Sequence, residues 1–144
     1  MNRYLLFWVL FALSPVVFGM QTTEIDLLDH ELQKKADYDR QKHLRIEQIH
    51  QNSSISTYEK YVLLFEEYKS FNYDTAFYLV NKMIDEARLT NHPDYQAQAE
   101  LKRAFIYLSS GLFHESLDVF SHIAPATLKK EDLIYYYTNF ARLK

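Results

Sequence analysis

The chain has 144 residues, 16 Lys and Arg against 19 Asp and Glu, a formal charge of -3, and no cysteine. The absence of cysteine excludes disulfides, thiolate metal sites and cysteine nucleophiles. Mild acidity leaves no electrostatic footprint for nucleic acid. Only two glycines and three prolines occur. So few breakers, with no sustained two-residue alternation, point to an all-α chain.

In chain order, the first element is a leader. Arg3 supplies a positive start, residues 4–20 carry no charge, and residues 5–13 are continuously apolar. Val17-Phe18-Gly19 then offers small or β-branched residues to a signal peptidase. The pattern predicts a secretory signal peptide over residues 1–19, cut after Gly19, and so a periplasmic or exported protein. A spanning helix needs ~20 apolar residues; this run is shorter and Pro15 interrupts it. An uncleaved N-terminal anchor stays open as the alternative. Without the leader, 15 basic and 19 acidic residues remain.

Residues 20–55 read as an N-terminal capping segment. Its helix is expected over residues 24–51, with Thr23 as cap and Asp26 in the first turn, where the helix dipole favours a carboxylate. Leu28, Leu32, Ile46 and Ile49 make one narrow apolar stripe around a polar middle. A terminal repeat element needs such a wet outer face.

Asn52-Ser53-Ser54 breaks the helix, and Ser56 with Glu59 forms a capping box. A second helix runs to about residue 69, with Tyr61, Leu64, Phe65 and Tyr68 inward. A third covers residues 73–89, with Ala76, Phe77, Val80, Met83, Ile84 and Ala87 inward. Pro93 opens a fourth, residues 95–110, faced by Ala97, Leu101, Ala104, Phe105, Tyr107 and Leu108. Gly111 is placed to end it in the left-handed conformation. A fifth spans residues 114–123 with Leu117, Phe120 and Ile123. Pro125 stops it, and Thr127 is the expected cap of a sixth over residues 128–144.

Two stretches repeat. Ser70-Phe71-Asn72-Tyr73-Asp74-Thr75-Ala76-Phe77 aligns without a gap on Ser110-Gly111-Leu112-Phe113-His114-Glu115-Ser116-Leu117, 40 residues on. Ala141 follows Ala104 by 37 residues. Periods of this length indicate a helical solenoid.

Ala104, Tyr107, Gly111, Phe113, Glu115, Ser116, Leu117 and Phe120, in that order and spacing, resemble a tetratricopeptide repeat. The resemblance implies antiparallel helical hairpins in a short right-handed solenoid of about six helices. It divides residues 56–144 into repeat 1 (56–92), repeat 2 (93–126) and the first helix of a third (127–144). Ala76, Phe77, Ala104, Tyr107, Gly111, Ser116, Phe120 and Ala141 become the repeat-packing positions. Leu64 departs from the pattern, standing where a small residue is expected, and the spacings exceed the usual repeat of about 34.

A narrower resemblance rests on the leader, on Asp37-Tyr38-Asp39 with Lys42, Arg45 and Ile46, and on Tyr68 to Ala76. These are similar to the N-terminal part of Bacteroidetes tetratricopeptide-repeat regulators, in which a membrane helix and a further domain, at times described as a transcriptional regulator, follow the repeats. The chain is then expected to be the sensory or scaffolding fragment of a membrane-anchored regulator. An unfinished third repeat, with Tyr135, Tyr136, Tyr137 and Phe140 uncovered, fits that expectation. A stand-alone adaptor that self-associates through its last helix is the alternative.

The resemblance implies a concave face lined by the first helix of each hairpin and a protein or peptide ligand. Its candidates are Tyr61, Glu67 and Tyr68, then Lys102, Arg103, Ile106 and Tyr107, then Asn139 and Arg142. No cofactor, metal or nucleic-acid contact is expected, and membrane contact only through an uncleaved leader or a further segment. Six histidines lack the i, i+4 pair of a helical zinc site, and His43 and His50, seven apart, have no third ligand nearby. Glu66-Glu67 and Glu131-Asp132 read as solvated carboxylates. No phosphate loop or nucleophile elbow occurs, so an enzyme is not expected.

Overall fold

The computed structural model describes residues 14–143, with side chains from Glu24 onward except Thr127. Most of the predicted leader lies outside the described residues. Six α-helices and no strand occur among the described residues: α1 Ser14–Gln51, α2 Thr57–Tyr68, α3 Tyr73–Leu89, α4 Pro93–Ser109, α5 Phe113–His122 and α6 Lys130–Ala141. None is long and apolar enough to cross a membrane. Two compact units meet in sequence between Leu44 and Arg45.

The first difference from expectation is the start of α1. It begins at Ser14 and runs through Thr23, which is therefore not a cap. Nothing between Pro15 and Asn52 can break a helix strongly, and a first-turn proline has no hydrogen-bonding N–H to lose. Within the first unit, the described side chains are exposed apart from Lys42, and Leu28 and Leu32 are exposed with the rest. Glu31–Lys34 and Asp37–Arg40 pair at 2.7 Å along this stretch.

The second unit holds the hairpins. Its opening residues are the last turns of α1, where Ile46 and Ile49 pack against the core under α2. Only this end of the expected stripe acts as a cap. Ser56 and Glu59 close the capping box: Glu59 N–H donates to Ser56 Oγ at 3.2 Å and Ser56 N–H to Glu59 Oε2 at 3.0 Å. Asn72 caps α3 by accepting from Thr75 N–H at 3.0 Å.

The helices α3 and α4 end alike. Among the described residues, Asn91 and Gly111 have positive φ, at 50° and 77°. His92 N–H returns to the Ala87 carbonyl at 3.0 Å, and Leu112 N–H to Tyr107 at 2.9 Å. Both are Schellman closures, which need a left-handed residue just past the helix. Gly111 is exposed, and a Cβ added there would meet nothing within 4 Å. Its role is therefore backbone conformation, not the packing expected from the repeat pattern.

The core has two clusters. Tyr58, Leu64, Phe65, Ala76, Leu79, Val80, Met83, Ile84, Ala87, Ala99 and Ile106 form the first. Leu101, Ala104, Val119, Phe120 and Tyr136 form the second. The helix α4 contributes to both, so it is buried on opposite sides, as expected of an inner helix. Ser116 is fully buried at the α4–α5 crossing and donates to the Ala104 carbonyl at 2.8 Å. Ala76 is equally buried at the corresponding place in α3.

The last helix also departs from expectation. Pro125–Thr127 is a 3-10 turn, and α6 starts at Lys130 with Lys129 at its N-cap, not Thr127. Tyr136 is buried and stacks on Phe140 at 5.6 Å, and both rings pack on Phe120. Of the four aromatics expected to be uncovered, only Tyr137 is exposed. Ala141 is exposed as well, on the helix side away from Tyr136, and packs against no core cluster.

Candidate functional site

One face of the second unit gathers chemistry from α2, α4 and α6. On α2, Tyr58, Val62, Phe65 and Glu66 share a side at helical spacing, continued by Lys69 at its C-cap; on α4, Tyr95, Gln98, Lys102 and Phe105 do the same. The helix α6 adds Tyr135.

Three rings run across these helices. Phe65 meets Phe105 edge-on at 6.4 Å, and Phe105 meets Tyr135 at 6.0 Å. Lys102 Nζ sits 4.8 Å above Phe65 and 5.5 Å from the Tyr135 ring, and Lys69 Nζ is 5.6 Å from Phe105. These are cation–π distances. Glu66 takes both ammonium groups: Lys102 donates to Oε1 at 2.6 Å, and Lys69 donates to Oε2.

Burial pushes the Glu66 carboxyl up, but Lys102 and Lys69 outweigh it by charge and hydrogen bond and hold it below the usual carboxylate range. Tyr135 is pushed far up, by burial first and then by the Glu66 charge. Its hydroxyl is buried without a hydrogen-bond partner. The phenol therefore stays protonated and offers no nucleophile.

The same face opens into a cleft at its other end, lined by Ile55, Tyr58, Glu59, Val62, Leu63, Tyr95 and Gln98. Tyr58 and Tyr95 stack at 4.0 Å, nearly parallel, and His92 stacks on Tyr95 at 4.1 Å. The Tyr58 hydroxyl donates to the Tyr95 carbonyl at 2.7 Å and lies 3.0 Å from Gln98 Oε1. Burial, then Asp132, raises its pKa. Asp132 also accepts from Gln98 Nε2 at 3.4 Å.

The sequence-derived candidates are scattered by this geometry. Ile106 is in the core, and Lys102 and Asn139 are buried. Tyr107 packs on Phe77 at 5.9 Å, toward α3. Arg103 pairs with Glu100 at 2.5 Å and lines a separate cleft with Tyr107, His114, Glu115, Asp118 and Val119. Glu67 is gripped by Arg45 through Nε at 2.8 Å and Nη2 at 3.0 Å. Tyr61 is half-buried against the first cluster, and Tyr68 stacks on Phe71 at 5.3 Å. Asn139 Nδ2 donates to the Tyr135 carbonyl at 2.9 Å, and the exposed Arg142 donates to Asn139 Oδ1 at 3.2 Å. Glu66, Phe105 and Tyr135 were not among the candidates. Neither carboxylate of Glu66-Glu67 is simply solvated, since each has a cationic partner.

The arrangement holds a mixed-charge, aromatic surface with no nucleophile–base pair on it. Among the described residues no group of three or more His, Cys, Asp or Glu could hold a metal ion. Stacked helical hairpins with such a surface define a tetratricopeptide-repeat protein, a class of protein-interaction modules. The family model described as the SusR N-terminal TPR domain matches residues 32–144. The chain belongs to that family. No curated protein and no solved structure matches it.

Proposed function

We propose that the chain is the exported docking module of a SusR-type regulator and binds a protein or peptide across the face formed by α2, α4 and α6. The family match carries this reading, because the domain it names is the N-terminal repeat domain of such a regulator. The face supplies what an extended ligand needs. Half-exposed Glu66 and Lys69 offer hydrogen bonds, and the cleft beside Leu63 and Tyr95 offers apolar contact. Residues 1–19 are the leader in this reading, and the hairpins face the periplasm. Signal relay through a membrane-anchored remainder is the role such a domain would serve.

The test places a photo-crosslinking residue at Leu63, at Lys69, or at exposed Tyr78 on α3. Polypeptide adducts at the first two positions and not at the third are expected. Equal labelling at all three would sink the docking face. Fractionation and N-terminal sequencing check export, with Met20 expected as the first residue of the mature chain.

A further inference from the structure

We propose that the cleft between α2 and α4 takes a basic side chain, arginine or lysine, from the docked polypeptide. This rests on the docking face proposed above and fixes the chemistry of one position in its ligand. The walls are apolar: Ile55, Val62 and Leu63, with the rings of Tyr58 and Tyr95. Such walls suit the methylene stem of a long charged side chain. The polar groups around them offer acceptors and no spare donor. Tyr58 has spent its hydroxyl hydrogen on the Tyr95 carbonyl at 2.7 Å. An ionised Asp132 can only accept, so Gln98 turns Nε2 toward it and leaves Oε1 3.0 Å from the Tyr58 hydroxyl. Ser56 donates to Glu59 Oε2 through both its N–H and its Oγ, and Oε1 takes no hydrogen bond among the described residues. A basic side chain brings the donors that these groups lack.

Charge points the same way. Hydrogen bonds from Ser56 hold the Glu59 carboxyl below its usual range, so it is ionised at neutral pH. The Asp132 charge reaches the cleft, where it adds to burial in raising the Tyr58 pKa. No basic residue lines the walls. Lys129 is held by Asp94 at 2.9 Å, and Lys60 reaches the His50 carbonyl at 3.3 Å. A second cleft, at the other end of the face, has Lys69 beside Phe71, Tyr73 and Phe105. Lys69 is the one charged residue lining it and is already matched by Glu66. The unmatched charge therefore sits at the first cleft and is negative. Carboxylates and carbonyl oxygens hold the cation, not ring faces, because Tyr58 and His92 both stack on Tyr95. The walls belong to α2, α4 and the loop before α2, whereas α6 packs beyond α4. A further repeat in the same register would not cover them.

The full chain with the photo-crosslinking residue at Leu63 is offered four octapeptide pools. Each has random flanks and a fixed central arginine, lysine, norleucine or glutamate. Norleucine keeps the apolar stem and removes the charge. The arginine and lysine pools should label the chain several-fold more than the norleucine pool, and the glutamate pool least. Added salt should shrink the difference, since it screens exposed charges. Glu59→Gln combined with Asp132→Asn should erase it with an unchanged circular dichroism spectrum, because glutamine also completes a capping box. Equal labelling by the norleucine and arginine pools would overturn the proposal, as would a preference indifferent to the double variant. Either result, with adducts still forming at Leu63, leaves the docking face standing. Failure of every pool to label the chain would remove the face and the proposal together.

Discussion

Lys102 Nζ lies 2.6 Å from Glu66 Oε1, joining α4 to α2 across 36 positions of sequence. The lysine side chain is buried, whereas the glutamate side chain is 40% exposed. The two ends of the pair therefore differ in what their loss leaves behind. Glu66→Ala strands a buried cation over the Phe65 and Tyr135 rings. It should destabilise the domain by about 1–3 kcal/mol, the range for leaving a buried donor unsatisfied. Lys102→Met keeps the stem packed between Phe65 and Tyr135 and leaves Glu66 to Lys69, so it should cost less. Urea denaturation of the two variants gives the order.

The same carboxylate sets a pH response. Its folded pKa is depressed, so its contribution is complete above the ordinary value near 4.5 and disappears as pH falls through the lower, folded value. Wild-type Tm should fall on acidification below about 4.5. Glu66→Gln should flatten that part of the profile while lowering the plateau above it. Glu100 acts with the opposite sign: burial raises its pKa against the pull of Arg103, so protonating it relieves a cost. A Glu66→Gln profile as steep as the wild type would refute the assignment.

Ser116 tests the α4–α5 crossing. Ser116→Ala removes one hydrogen bond to the Ala104 carbonyl and should cost about 0.5–1.5 kcal/mol. Ser116→Leu must push a longer side chain into a fully buried position and should cost about 1–3 kcal/mol. Calorimetry should find the second loss larger; equal losses would mean that the crossing is loosely packed.

Gly111 isolates backbone conformation from packing. Because an added Cβ touches nothing, Gly111→Ala should cost only the left-handed penalty, about 1–2 kcal/mol. Gly111→Asn should cost less, since asparagine already serves at Asn91 with φ of 50°. Chemical denaturation of the two variants separates these expectations.

Local signals in the sequence were legible. The capping box at Ser56 and Glu59, the left-handed stop at Gly111 and the helical apolar spacing led to an all-α repeat fold. What the sequence hid was rotational and non-local. Glu67 was preferred to Glu66, yet each step along a helix turns the side chain by about 100°, and only Glu66 faces α4. Lys102 read as a groove residue open to a ligand because its partner lies 36 positions earlier. Ile106 read as a groove residue because an inner helix is apolar on two sides, and its period does not say which side is which. Thr127 read as a cap because the 3-10 turn after Pro125 leaves no local mark.

The two-sided burial of α4 has a consequence for how the domain comes apart. Stacked hairpins can in principle melt from an end, one unit at a time, because each touches only its neighbours. Here Ala99 and Ile106 belong to one cluster, and Leu101 and Ala104 to the other. Opening either cluster removes half of the surroundings of the same helix. The second unit should therefore lose its structure in a single transition, with the amides of α4 the last to exchange.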